Sequence, residues 1–196
     1  MNRPDSTGLF NASGQRKYLC GSEGRRFLIA AERMDDESRT FCRLLAFTGC
    51  RISEGLALTP ERIDTEAGRV VFRTLKRRKL SFRAVPVPPD LLSDLRRLAS
   101  GRRHDEPLWA WCRQTAWRRV CWAMTEAGII GAQAMPKGLR HAFGIANAEQ
   151  AVPISLTARW MGHARLDTTA IYQDAVGREE RAFAQKLWRR QSSAME

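Results

Sequence analysis

Apolar residues recur every three or four positions along most of the chain, the spacing that places side chains on one face of an α-helix. The first such face comprises Phe27, Leu28, Ala31 and Met34. The same spacing predicts further helices over residues 38–47, 51–58, 91–98, 114–126, 139–150, 155–161, 168–174 and 179–189. We therefore expect a mainly helical chain.

Two short segments do not follow the helical spacing. Residues 69–74 and 82–87 are rich in β-branched and aromatic side chains, and a basic turn separates them. This combination predicts a β-hairpin with an irregular connection. The expected fold class is mainly α with a small antiparallel β-sheet or hairpin.

The helix predicted over residues 114–126 has an apolar stripe of Trp117, Val120, Cys121 and Met124. We expect this stripe, with its tryptophan, to pack into the core rather than to stack on nucleic-acid bases. The five cysteines of the chain include no CxxC pair. They are expected to be reduced core thiols rather than disulfides or metal ligands.

The composition favours one domain. The chain has 196 residues, of which 43% are hydrophobic, and no linker divides it. We predict a polar leader over residues 1–16, a single domain over 17–190 and a polar tail over 191–196. The leader has no apolar stretch that could serve as a secretory signal, so a cytoplasmic location is expected.

The charge of the chain indicates a polyanionic partner. Lys and Arg number 33 against 21 Asp and Glu, which gives a formal net charge of +12. Nucleic acid is the first candidate. A membrane role is disfavoured, because the sequence has neither a long apolar run nor a Lys-rich amphipathic helix.

The predicted hairpin concentrates this charge. Residues 69–83 contain seven basic side chains and no acidic one. A solvated face is the alternative, but unopposed cations repel each other, so contact with phosphate is favoured. The candidate DNA-binding residues are Arg73, Arg77, Arg78, Lys79, Arg83, Arg113 and Arg118.

Three motifs together carry a family resemblance. They are the segment TGCRISEGLAL at 48–58, the segment GLRHAF at 138–143, and the segment WMGH at 160–163, which Tyr172 follows nine residues later. In combination and spacing they resemble the phage-integrase family of tyrosine recombinases over roughly residues 17–188. Longer family members carry a separate N-terminal core-binding domain, which is not expected here. The chain therefore is similar to the short members, such as the fimbrial phase-variation invertases, or is a fragment of a longer protein.

The resemblance implies a tyrosine recombinase catalytic-domain fold and a set of catalytic residues. Tyr172 would be the nucleophile, and Lys137 stands where the family most often has His. Lys79 is an alternative to Lys76 as the hairpin lysine. The expected catalytic residues are Arg51, Lys76, Lys137, Arg140, His163 and Tyr172.

These residue types suit attack on a phosphodiester. Arg51, at the start of a predicted helix, and Arg140 can bind the non-bridging oxygens on which negative charge develops. Tyr172 needs positive charge and a proton acceptor, because its ordinary pKa is about 10. His163 and Lys137 are the candidate acceptors, and Lys76 is the candidate acid for the departing 5′ oxygen.

Two further residues have two interpretations each. Glu54 either orients an arginine or is a first-turn carboxylate that favours the helix dipole. His141 is either a hydrogen-bonding neighbour of the site or, preferably, a satisfied core histidine. The sequence has no metal-ligand spacing, P-loop or dinucleotide motif, so neither metal nor cofactor is expected.

The resemblance implies an enzyme that cleaves and rejoins double-stranded DNA through a 3′-phosphotyrosyl intermediate. A homotetramer on paired sites would be the working assembly, with the helix over residues 179–189 docking on a neighbouring protomer. The alternatives are a type IB-like topoisomerase and a non-catalytic DNA-binding regulator of the same fold.

Overall fold

The computed structural model describes residues 8–74, 81–173 and 185. Within these residues lie eight α-helices, one 3-10 helix (Pro60–Arg62) and three strands. The helices are α1 (Gly21–Ala31), α2 (Asp36–Thr48), α3 (Ile52–Leu56), α4 (Pro89–Ala99), α5 (Arg113–Glu126), α6 (Pro136–Glu149), α7 (Ile154–Met161) and α8 (Asp167–Ala170). The strands are β1 (Ile63–Asp64), β2 (Arg69–Arg73) and β3 (Phe82–Pro86).

The predicted fold class is confirmed, with differences at three elements. The strands form an antiparallel sheet in the order β1-β2-β3. Strand β1 is not predicted from the sequence, because two residues are too few to show an alternating pattern. Helix α3 ends at Leu56 and α8 is a single turn, both shorter than expected. The helix predicted over 179–189 lies outside the described residues except at residue 185.

Helix α2 lies at the centre of the main core. It packs against α1, α3, α4, α5 and α6. Phe41 and Leu44 on this helix are fully buried. The Phe41 ring makes edge contacts with Trp109 and Trp111 at centroid distances of 5.0 and 5.7 Å. A helix covered on most sides needs apolar residues around its circumference, and residues 41–47 of α2 are apolar except at Arg43.

The expected position of the α5 tryptophan is wrong. Trp117 is 43% exposed, and Trp122 on the same helix is 44% exposed. The buried residues of α5 are Ala116, Val120, Ala123 and Met124. Small alanine side chains let α5 approach its neighbours closely, which leaves the bulky indoles at the surface. The cysteine expectation needs a similar correction, since Cys42 and Cys50 are buried thiols whereas Cys112 is exposed.

A second, smaller apolar cluster lies beside the main core. Its buried members are Leu9, Ile145, Met161 and Tyr172. Leu9 is only 5% exposed, and its carbonyl accepts a hydrogen bond from the Lys17 backbone amide at 2.8 Å. The segment predicted as a polar leader is therefore part of the fold from Leu9 onward.

No helix among the residues given above is both long and apolar enough to cross a membrane.

Candidate active site

One cleft of about 710 Å³ collects five of the six predicted catalytic residues. Four elements supply them: the start of α3, helix α6, the turn after α7 and the turn after α8. Lys76, the sixth, lies outside the described residues. The five in the cleft are Arg51, Lys137, Arg140, His163 and Tyr172.

Arg51 stands at the N-cap of α3, as predicted. Its backbone amide donates to Glu54 Oε2 at 2.8 Å, and its Nη1 donates to Glu54 Oε1 at 2.9 Å. Glu54 is 2% exposed. Both interpretations of this carboxylate therefore hold, because it caps the first turn of α3 and also binds the arginine guanidinium.

Arg83 is buried, contrary to its predicted contact with DNA. Residues alternate in a strand, so Arg83 shares the inner face of β3 with Val85, and its side chain is only 4% exposed. Its Nη2 lies 2.7 Å from Glu54 Oε2. Burial would raise the pKa of the Glu54 carboxyl, but hydrogen bonds and charge from Arg83, helped by Arg51, hold that pKa below its usual value. The guanidinium of Arg83 neutralises a buried carboxylate and is not presented to a phosphate.

Arg140 joins two turns on the cleft wall. Its Nη1 donates to the Gly49 carbonyl oxygen at 2.6 Å, and its Nη2 donates to the Met161 carbonyl oxygen at 2.8 Å. Burial, together with the nearby charge of Arg51, lowers the pKa of Arg140 to about 10. The side chain therefore remains a cation at neutral pH.

The backbone at Gly49 explains why a glycine precedes Arg51. Gly49 ends α2 in the left-handed conformation, with φ 59°. A Cβ at this position would lie 2.5 Å from the Phe143 ring. Glycine alone satisfies both constraints, so α6 can approach the turn closely enough for Arg140 to reach it.

His163 follows the left-handed glycine that ends α7. Its Nδ1 lies 2.7 Å from the Thr169 hydroxyl, so Nε2 is its second hydrogen-bonding atom. Burial, and then the charges of Arg140 and Arg51, lower the pKa of His163 to about 3. The group lining the cleft is therefore a neutral imidazole.

Tyr172 lies in the turn after α8, with 2% of its surface exposed. Its ring stacks on His163 at a centroid distance of 6.3 Å. Helix α6 makes room for it at Gly144, where a Cβ would lie 2.5 Å from the tyrosine ring. Burial raises the pKa of Tyr172 to about 12, although Arg140 and Arg51 oppose that rise.

For His141, the less favoured of the two interpretations is supported, since it is a hydrogen-bonding neighbour of the site. It is buried, but its Nδ1 lies 3.2 Å from the Tyr172 hydroxyl. Burial and the charge of Lys137 lower the pKa of His141 to about 4, so it too is neutral. A signal was present in the sequence: Lys137, His141 and Gly144 are spaced four and three residues apart, which places them on one helix face.

The predicted DNA-contacting residues are dispersed. Arg113 lines the active-site cleft. Arg73 is exposed at the end of β2, and Arg118 lines a separate pocket beside Trp122. Arg77, Arg78 and Lys79 lie outside the described residues.

Residues 17–178 match the model of the phage integrase family. The chain belongs to that family. A curated relative, the tyrosine recombinase XerA of Pyrococcus furiosus, is 30% identical over 166 residues, which cover 80% of this chain and 56% of the relative. The chain spans about half the length of the curated relatives it matches.

Solved structures confirm the predicted tyrosine recombinase catalytic-domain fold. The XerH site-specific recombinase in a post-cleavage complex with palindromic difH substrate superposes with a TM-score of 0.76 at 20% identity, over 93% of this chain and 56% of that one. The catalytic domain of bacteriophage HP1 integrase superposes with a TM-score of 0.64 at 19% identity, over 86% of this chain and 93% of that one.

Proposed function

We propose that this phage integrase domain is the catalytic part of a site-specific DNA recombinase that cleaves and rejoins DNA through Tyr172. The observation that carries the proposal is that the phenol shares one cleft with Arg51, Arg140, Lys137 and His163. The XerH structure, described as a post-cleavage complex, supports double-stranded DNA as the substrate class.

In the proposed reaction, the Tyr172 oxygen attacks phosphorus while the bond from phosphorus to the 5′ oxygen breaks. The product is a 3′-phosphotyrosyl link and a 5′ hydroxyl, and attack by a 5′ hydroxyl reverses the step. The link retains the free energy of the broken ester, so rejoining requires no nucleotide cofactor. A DNA substrate would place the protein in the cytoplasm.

The arginines would stabilise the charge that develops on the non-bridging oxygens. A guanidinium has five N–H donors. Arg140 uses Nη1 and Nη2 for the carbonyl oxygens of Gly49 and Met161, and those bonds hold its plane while further donors remain for phosphate. Preorganised donors of this kind supply much of the rate enhancement in acyl and phosphoryl transfer.

The proton of Tyr172 needs an acceptor, since a phenol with a pKa near 12 is almost fully protonated at neutral pH. His141 Nδ1, on α6, lies 3.2 Å from the Tyr172 hydroxyl, and Lys137 and His163 line the same cleft. On the leaving side, the proposed acid is Lys76, with Lys79 as the alternative. Two protomers on each of two DNA sites would form the proposed homotetramer.

The test uses a library of duplexes of randomised sequence, each with one nick whose position varies across the library. In some members, the nick therefore lies three nucleotides to the 3′ side of the phosphate that is cleaved. Cleavage next to the nick releases a short fragment, so the covalent protein–DNA adduct accumulates and survives denaturation in SDS. We expect an adduct with the unaltered chain and none with Tyr172→Phe, which removes only the hydroxyl. Sequencing the trapped DNA would identify the target.

Tyr18→Phe is the matched control, because Tyr18 is the other tyrosine of the chain. It should form the adduct like the unaltered protein. Adduct formation by Tyr172→Phe would overturn the proposal. Retention of DNA without any adduct would favour the non-catalytic regulator, and relaxation of supercoiled plasmid without strand exchange would favour the topoisomerase.

A further inference from the structure

The guanidinium of Arg83 lies at the junction of β3, α3 and α7. Its Nη2 donates to Glu54 Oε2 at 2.7 Å and its Nη1 to Oε1 at 3.3 Å, while its Nε donates to the Trp160 carbonyl oxygen at 2.7 Å. It also lies over the Phe72 ring at 5.0 Å. A planar fork with bonds on two sides has a fixed orientation.

Arg83 also donates from Nη1 to the Thr74 hydroxyl at 3.5 Å, but its two closer partners, Glu54 and the Trp160 carbonyl, both lead to the active-site cleft. Glu54 binds the backbone amide and the guanidinium of Arg51. Trp160 lies in the last turn of α7, three residues before His163. At Gly162, between them, a Cβ would lie 3.0 Å from Arg83 Cζ, so the arginine packs directly on the turn that presents His163.

We propose that Arg83 is a positioning residue for DNA cleavage, which fixes Arg51 through Glu54 and fixes His163 through the end of α7. The inference rests on the proposed function, since it assigns Arg83 a part in that reaction. It also explains why a basic residue of the hairpin is directed inward, where it cannot contact DNA.

The charges around Glu54 make the role testable. Arg83 and Arg51 contact the carboxylate, and the charges of Arg140 and Glu54 also affect each other. Cys50 is a further titratable neighbour, and burial raises the pKa of its thiol to about 11. The charge of Arg83 also acts on His163. Without Arg83, Glu54 would keep its burial and lose its strongest partner, so its pKa should rise above the ordinary value.

The main variant is Arg83→Met, which keeps the apolar stem and removes the charge. Its rate of adduct formation, measured on DNA recovered from the library, should fall on the order of 100-fold, the usual effect of misplacing reactive groups by about 1 Å. Its affinity for that DNA should change little, because the removed group is buried.

The diagnostic result concerns Arg83→Met relative to the unaltered chain. As the pH is lowered, its relative stability should rise while its relative adduct rate falls. In Arg83→Met, a Glu54 with a raised pKa destabilises the folded state most at high pH, where the buried carboxylate is charged. The gap in unfolding temperature between the variant and the unaltered chain should therefore narrow from pH 8 to pH 5. Over the same range the variant's relative adduct rate should fall, because a protonated Glu54 holds Arg51 less firmly.

Three further variants isolate the effect. Arg43→Met removes another buried arginine, which pairs with Asp94 at 2.7 Å away from the cleft, so it should reduce stability without altering the pH profile of adduct formation. Arg83→Lys keeps a charge and loses the fork, so its adduct rate should fall about tenfold. Glu54→Gln combined with Arg83→Met should abolish the pH dependence of the stability gap, because no carboxyl remains to titrate.

Adduct formation by Arg83→Met at the unaltered rate would overturn the positioning role alone. An adduct rate that rises towards pH 5 in parallel with stability would also overturn it, since that is the result of a purely structural role. If the unaltered chain forms no adduct, the proposed function fails, and the positioning role fails with it. The two failures are distinguishable, because only the failure of the proposed function abolishes the adduct of the unaltered chain.

Discussion

At the scale of single residues, the basic side chains of the cleft include both permanently charged arginines and neutral imidazoles. Burial, and then the charges of Arg140 and Arg51, favour the neutral form of His163. Burial, and then the charge of Lys137, favour the neutral form of His141. Burial also favours the neutral form of Tyr172. The positive charge of the cleft suits an anion, and we expect the negative charge of a bound phosphate to change these protonation equilibria.

The first prediction concerns those imidazoles in the DNA-free protein. Because their pKa values are lowered to about 3 and about 4, the ring nitrogens of His163 and His141 should show no titration between pH 5 and pH 8. Histidine ¹⁵N chemical shifts measure this directly, and His163→Gln and His141→Gln assign the signals. A midpoint within that interval for either residue would contradict the burial argument.

At this scale, sequence reasoning selected residues by chemical type that the structure places together, but it missed a pairing that depends on a distant partner. Arg51, Arg140, His163 and Tyr172 were predicted from motif and chemistry, and the cleft brings them together. The pairing of Arg83 with Glu54 was not predicted, because 29 positions separate the two residues and only the docking of β3 on α3 brings them into contact.

At the scale of elements, α6 organises the cleft. One helix presents Lys137, Arg140 and His141 to the cleft, and at Gly144 it admits the Tyr172 ring. Helical periodicity predicts this helix. The role of Gly144 is not predictable in the same way, because it depends on the close approach of α6 to the turn that carries Tyr172, and no local sequence pattern indicates that approach. The same limit explains why α8, a single turn fixed by tertiary contacts, was predicted too long.

The second prediction is that Gly144→Ala displaces Tyr172, the proposed nucleophile. Its Cβ would lie 2.5 Å from the Tyr172 ring, so the ring must move and the adduct rate should fall on the order of 100-fold. Gly24→Ala in α1 is the matched control, because a Cβ there meets nothing within 4 Å.

The control should keep full activity and gain roughly 0.5–1 kcal/mol of stability from helix propensity. Adduct kinetics and urea unfolding of the two variants provide the comparison. Equal adduct rates for Gly144→Ala and Gly24→Ala would show that the close approach of Gly144 to the tyrosine is unimportant.

At the scale of the whole molecule, the proposed nucleophile belongs to a small cluster separate from the main core. Tyr172 packs with Leu9, Ile145 and Met161, so a segment near the start of the chain supports a residue near the end of the described region. Polar composition concealed this link, because one buried leucine in a polar stretch produces no periodic signal.

The third prediction tests that link with Leu9→Ala. Removing a buried leucine side chain should lower the free energy of unfolding by about 2–3 kcal/mol, and the looser cluster should slow adduct formation. Phe10→Ala, at a neighbouring residue that is 52% exposed, should have little effect on either quantity. Equal unfolding free energies for the two variants would mean that the segment does not support the cluster.

The central claim, that Tyr172 becomes covalently joined to DNA, is tested most directly by mapping the linkage. The trapped adduct is digested with nuclease and trypsin, and the peptides that carry a nucleotide are sequenced by mass spectrometry. The account predicts a nucleotide attached through its 3′ phosphate to Tyr172 in the peptide of residues 166–178. A nucleotide on the peptide of residues 18–25, which contains Tyr18, or a linkage through a 5′ phosphate, would contradict it.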